Sequence, residues 1–228
     1  VTISDTTITA IELNNLDTAT TGTITATSVT SVTGLIADLN TAYNSTNISG
    51  LANESITITN TGAITAAQVN DLLPETSGAI TLSGSGSLTI TVASGETLNL
   101  SGVTNSLSGT LTINDSTGNE IITGTSGNDT ININSGSDNV NAGNGNDTIN
   151  IAIDNLDNAD IINGGNGTDT LNLTSSGTLT STDVTNVSGV ENLNFSSGDD
   201  TFSFTDKADY DSTISKFSAV SGGSGTDS

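Results

Sequence analysis

Acidic residues recur at a fixed place in a nine-residue unit between Asp115 and Asn172, set among residue types that bind hard cations. Aligned on itself, the stretch gives DSTGNEIIT from Asp115, GTSGNDTIN from Gly124, INSGSDNVN from Ile133, AGNGNDTIN from Ala142 and GGNGTDTLN from Gly164. A sixth unit, Ile151 to Asn163, ends in NADIIN and carries four extra residues. The shared pattern is G-G-x-G-x-D, then a triplet with an apolar centre. The glycines permit a tight turn that directs backbone carbonyls inward, and the acidic residue adds a carboxylate. Carbonyl and carboxylate oxygens are the donors that calcium takes.

Each triplet is expected to be a short strand, with Ile131, Val140, Ile149, Ile162 or Leu171 inward and its neighbours outward. Two units then complete one coil of 18 residues, so like turns fall into two columns. Asp129, Asp147 and Asp169 share one column; Glu120, Asp138 and Asp160 share the other. Neighbouring strands lie about 4.8 Å apart, close enough for stacked carboxylates to repel unless a cation separates them. The expected metal ligands are these six acids with the turn residues Gly124, Ser126, Gly127 and Gly136. Asn144, Gly145, Gly164, Asn166 and Gly167 complete the turns, and Asp200, in SGDDTFS, is a further ligand. The unit from Gly164 matches in full, whereas Ile133 and Asn134 replace both leading glycines and Glu120 replaces aspartate, which weakens the outer sites. The plainer alternative is an Asn/Gly-rich solenoid whose aspartates only solvate turns, and six units in register argue against it. Asn132, Asn141, Asn150, Asn163 and Asn172 close successive units and are expected to stack as amide ladders. In the insertion, Asp154 and Asp157 are surplus to the repeat, as an additional cation site or as a solvated loop.

Upstream, Val1–Thr27 aligns with Ile56–Ser83 at an interval of about 55 residues. Each copy offers an alternating strand, a capping box (Thr9 with Glu12, Thr65 with Gln68) and a short helix. Between the copies, GLIADLNTAYN has helical spacing at Leu35, Leu39 and Tyr43. From Ala79 to Asn114 alternating strands recur without metal-type turns. Gly84-Ser85-Gly86 lacks the lysine and following helix of a phosphate loop. Phe195, Phe202, Phe204, Tyr210 and Phe217 gather near the C-terminus as a cap for an open core end. The expected fold is mainly β: a right-handed parallel β-solenoid or β-roll with calcium between coils, preceded by a strand–helix repeat with short helices. Its divisions are 1–78 (strand–helix repeat), 79–114 (metal-free β-solenoid), 115–172 (calcium roll) and 173–228 (cap and tail), in one continuous stack.

A hydrophobic content of 32% with 3% aromatics is too lean for a conventional globular core and suits a narrow solenoid stack. Twenty-five acidic residues against two lysines give a net charge of −23, which excludes nucleic acid and anionic membrane as partners and favours cations. Without ions this composition leans toward disorder. The chain has no Cys and no His, and both lysines, Lys207 and Lys216, lie in the tail, so no serine has an evident base and catalysis is not expected. No apolar run approaches the ~20 residues of a membrane span. A start at Val1 and the lack of a visible signal peptide suggest a fragment or processed product.

The nonapeptides over about 115–203 resemble the RTX family, calcium-binding repeats of bacterial proteins exported by type I secretion. VSGVENLNFSSGDDTF is similar to the segment after such repeats in RTX-type surface-layer and giant surface proteins, and ISKFSAVSGGSGTD resembles the I-x-x-F…G-x-D stretch that follows RTX rolls. Val1–Ser83 is similar to tandem modules of very large secreted bacterial proteins, cyanobacterial ones among them. The resemblance implies several Ca²⁺ ions, export, and a place outside the cell or on its surface, where millimolar calcium fills such sites. The leading expectation is a calcium-dependent structural surface protein, part of a surface layer, filament or giant adhesin, that associates with itself or with neighbouring repeats. The alternatives are an adhesive module for a glycan or ice, and a secretion module for a catalytic domain outside this chain.

Overall fold

The computed structural model describes residues 1–228, which form mainly parallel β-sheets with a few short helices. Two compact units interleave in sequence: Val1–Ile90 with Gly102–Thr110, and Thr91–Ser101 with Leu111–Ser228.

In the first unit, strands Thr7–Thr9, Ser31–Gly34, Ser55–Ile58, Ile80–Gly84 and Val103–Leu107 pair in parallel in that order. The register Thr7↔Ser31, Ser31↔Ser55 and Ile56↔Ile80 gives a stacking interval of 24 residues, not the 55 at which the sequence resembles itself. Helices α1 (Ala10–Ala19), α2 (Ile36–Tyr43) and α3 (Ala66–Leu72) pack in a row, α1 on α2 and α2 on α3. Both expected capping boxes form: the hydroxyls of Thr9 and Thr65 accept from the N–H of Glu12 and Gln68, whose side chains bond back. The buried face of α2 is Ile36, Leu39 and Ala42, shifted from the expected Leu35 spacing because Leu35 is the extended N-cap and points into solvent. Asn60 Oδ1 accepts the Ile36 N–H at 2.6 Å and so supplies the cap that Leu35 lacks.

In the second unit, successive strands alternate between two parallel sheets. One contains Leu111–Asn114, Asp129–Asn132, Thr148–Ile151, Thr170–Leu173, Asn192–Asn194 and Ala219–Ser221 in that order. The other contains Thr97–Asn99, Ile121–Thr123, Asn139–Asn141, Ile161–Asn163 and Val187–Ser188. Thr130 pairs with Thr148 and Asn139 with Ile161, so intervals of 18 and 22 residues coexist and the four extra residues leave the register intact. Ile131, Val140, Ile149, Ile162 and Leu171 are all fully buried, as the apolar triplet centres require. On the outer side, Asn132, Asn150, Asn172 and Asn194 each donate Nδ2–H to the amide oxygen of the preceding layer, starting from Asn114, at 2.7–2.9 Å. The Asn141–Asn163 step is looser, at 3.5 Å.

Between strands Asn192–Asn194 and Ala219–Ser221 lies an element the sequence did not suggest, helix α4 (Lys207–Ile214), capped by Asp206 accepting from the Asp209 N–H and braced by a Lys207–Asp211 pair. Four of the five aromatics expected to cluster form a chain of rings, Phe195–Phe202–Phe204–Tyr210, with centroids 4.5–5.7 Å apart, and Phe217 is buried outside that chain.

Candidate metal centre

The parallel pairing places each position-six acid one layer above the last, and a backbone bond fixes its first oxygen. Asp147 Oδ1 accepts the Asp129 N–H at 2.8 Å, Asp169 Oδ1 the Asp147 N–H at 2.8 Å, and Glu191 Oε2 the Asp169 N–H at 2.8 Å. In the other column Glu120 Oε1 accepts the Gly95 N–H at 2.7 Å, Asp138 Oδ1 the Glu120 N–H at 2.9 Å, and Asp160 Oδ1 the Asp138 N–H at 2.9 Å. Both expected columns thus exist, and Glu191 extends the first. Glu191 was legible: VSGVENLN lines up on GNGTDTLN with Glu191 over Asp169.

The second oxygens of the column acids fall into two groups. Glu120 Oε2, Asp138 Oδ2, Asp147 Oδ2 and Asp169 Oδ2 are buried and have no hydrogen-bond partner. Leaving buried charged oxygens bare costs several kcal/mol, and no lysine or arginine precedes Lys207 to compensate them. Asp129 and Asp160 are satisfied: Thr125 gives Asp129 its N–H at 2.6 Å and its hydroxyl at 3.0 Å, and Asp160 Oδ2 accepts the Asp157 N–H at 3.0 Å. Glu54 in the first unit shows what a protein-compensated buried carboxylate looks like, accepting from the Tyr43 hydroxyl and the N–H groups of Ala52 and Asn53.

Electrostatics agrees with the geometry. Burial, with Asp129 and Asp169 to either side, pushes Asp147 up to about 7. Asp138, Asp160 and Asp169 are likewise raised, chiefly by burial and then by their acidic neighbours. Asp115, absent from the expected ligand set, is pushed up to about 8, chiefly by burial and then by the acidic groups of Glu120 and Asp138 beside it. Ligand atoms of Asp115, Glu120 and Asp138 lie within 4.8 Å of one another. Two unit charges at that separation repel by about 3 kcal/mol at an effective dielectric constant near 20. This buried acidic cluster can hold a metal ion: its donors are hard anionic oxygens, two of its residues have bare oxygens, and no cationic side chain competes.

The turn glycines serve close stacking. Gly167 has φ +138°, and a Cβ there would lie 1.6 Å from the Gly145 carbonyl oxygen; Gly165, at φ +101°, would meet the Gly143 oxygen at 1.9 Å. Gly124 and Gly164 are buried beside the carboxylates of Asp129 and Asp169, while Gly127 and Gly136 belong to stacked turns, Gly136 bridged to Gly118. Ser126, Asn144 and Asn166 are exposed. Asn166 donates Nδ2–H to Asn144 Oδ1 at 2.8 Å, so these two side chains form a second outer ladder and bring only their backbone to the turn. Asp154 is exposed, and Asp157 shapes the inserted turn by accepting the Ala159 N–H at 2.7 Å.

Asp200 is buried apart from both columns. Its carboxylate accepts the Gly177 N–H at 2.8 Å and the Ser196 hydroxyl at 3.0 Å, and its own N–H donates to Asp227 at 3.2 Å. Asp200 and Asp227 thus repeat the layer-to-layer bond. Asp227 also had a signal, since GGSGTD at 222–227 matches the turn hexapeptide in full. No protein-family model, curated protein or solved structure matches the chain.

Proposed function

We propose that this chain is a calcium-dependent structural protein of a bacterial cell surface, in which 115–172 form a right-handed β-roll with calcium between its coils. The observation that carries this reading is the set of four bare, buried carboxylate oxygens, on Glu120, Asp138, Asp147 and Asp169, stacked in two columns without a basic residue. Calcium offers each the missing partner and cancels the repulsion along the column. The lean core cannot offset the ordering entropy against that repulsion, so the roll folds where calcium is abundant, outside the cell. The RTX resemblance of the nonapeptides points the same way. Both lysines make local contacts: Lys207 pairs with Asp211, and Lys216 donates to the carbonyls of Val184 and Thr185.

Circular dichroism at millimolar calcium and in chelator tests the reading. At about pH 8, where the column acids are ionised, strand signal is expected to collapse on chelation, and an unchanged spectrum at micromolar free calcium refutes it. Association with further repeats or copies of the chain belongs to the same proposal. It is supported by the outermost strand Ala219–Ser221, all three residues of which are exposed at the end of its sheet. Light scattering in calcium and in chelator reads that association, and a monomer in both removes it.

A further inference from the structure

We propose that Asp115, Glu120 and Asp138 form a three-carboxylate site for a calcium-class cation that fills before the two-carboxylate positions elsewhere in the columns. The inference rests on the reading that the columns take cations, and it adds a ligand and an order of filling.

Asp115 stands at the first position of its nonapeptide, where the other units have Gly124, Ile133, Ala142 and Gly164 and therefore no side-chain oxygen. Here alone a carboxylate enters from the front of the turn. It is held in place by the Ser116 N–H on Oδ1 at 2.7 Å and the Asn134 N–H on Oδ2 at 3.1 Å. The second bond ties Asp115 to the next turn of the same column, the one that carries Asp138. Glu120 and Asp138 are each only 1% exposed, are fixed by one oxygen to a backbone N–H, and leave the other bare. These unpartnered buried atoms, and not the acidity of the cluster alone, mark a missing ligand.

Spacing and charge suit a hard divalent cation of calcium's size. Opposed ligands on a calcium ion stand about 4.6–5.2 Å apart, and on magnesium about 4.0–4.2 Å. Oxygens lying within 4.8 Å of one another can therefore close on one calcium ion. At the steps Asp138–Asp160 and Asp147–Asp169 only two column carboxylates meet, and affinity for calcium rises with the number of anionic ligands. The expectation of a weak Glu120 end is thereby reversed, because the substitution of glutamate for aspartate is accompanied by an extra carboxylate at position one.

Calorimetric titration of the metal-stripped full chain with calcium chloride tests this. The wild type is expected to bind one ion more tightly than the rest. Asp115→Asn should weaken that first ion by about tenfold or more while leaving the later ones unchanged. Asp115→Gly, which restores the residue found at Gly124 and Gly164, should do the same and guards against misfolding of the first variant. Asp147→Asn should spare the first ion and weaken later ones. A first ion unaffected by either Asp115 variant, with later ions still lost in Asp147→Asn, overturns the three-carboxylate site alone. Absence of calcium binding by the wild type overturns the column reading and this site with it.

Discussion

Raising the pH should destabilise the calcium-free protein and stabilise the calcium-loaded one. Asp147 titrates near 7 in the fold, against an ordinary value of 3.8. Between those two values the folded state keeps a proton that the unfolded state has released, so stability falls as pH rises, by about 1.4 kcal/mol per unit for this one group. Across the interval Asp147 alone removes on the order of 4 kcal/mol, a large share of the roughly 5–15 kcal/mol that holds a typical domain. Asp138, Asp160 and Asp169 are shifted in the same direction, and Asp115 extends the window to about 8. With calcium the sign inverts, because the ion takes the place of the protons and binds the ionised carboxylates better. The assay is urea denaturation followed by circular dichroism at about pH 5 and about pH 8, in calcium-stripped buffer and in millimolar calcium. The midpoint should fall with pH in the first and rise in the second. Slopes of the same sign in both would refute the claim that protons and calcium compete for these oxygens.

Asp147→Ala should weaken calcium-induced folding far more than Asp154→Ala, since Asp147 is buried mid-column and Asp154 is exposed; a calcium titration followed by circular dichroism compares them. Gly167→Ala should prevent the roll from folding even in calcium, because its Cβ would lie 1.6 Å from the Gly145 carbonyl oxygen at a φ of +138°; the same spectrum reads it. Thr9→Ala should cost about 1 kcal/mol through loss of the α1 capping box, with an effect equal in calcium and chelator because no column residue is touched; thermal melts in the two conditions decide it.

The parallel sheets of the second unit were legible because turn chemistry and apolar triplets repeat together. Position-six acids, inward Ile, Val and Leu, and trailing asparagines all kept one period, so the insertion at Ile151–Asn163 could be seen as an insertion and the register after it held. The N-terminal unit was less legible. Capping boxes at Thr9 and Thr65 suggested a 55-residue interval, yet strand pairing sets 24, because α3 follows a second strand, Gly62–Thr65, whereas α1 follows the first directly. Glu191 and Asp227 carried a signal in the repeat itself. Asp115 carried none: it occupies a position that elsewhere lacks a carboxylate, and only the stacking of turns brings it to Glu120 and Asp138.

Two ways of burying a carboxylate coexist in this chain, and the difference between them is why we propose a cation for the fold of one unit and not for the other. Glu54 is buried once, and a tyrosine hydroxyl and two backbone N–H groups complete it. In the roll the burial is periodic. Each added middle layer brings another carboxylate into line, but only one backbone N–H to meet it, since other N–H groups of the layer are committed to the parallel sheets and to asparagine side chains of the adjacent turn. One oxygen per middle layer is therefore left over by the arithmetic of the repeat. A side-chain donor would have to be supplied anew at every layer, as Thr125 does for Asp129 at the end of its column. A divalent cation would instead serve two layers at once and neutralise the charge that a hydroxyl cannot, so under the proposed function a repeat that lengthens by whole layers also creates the sites that hold them together.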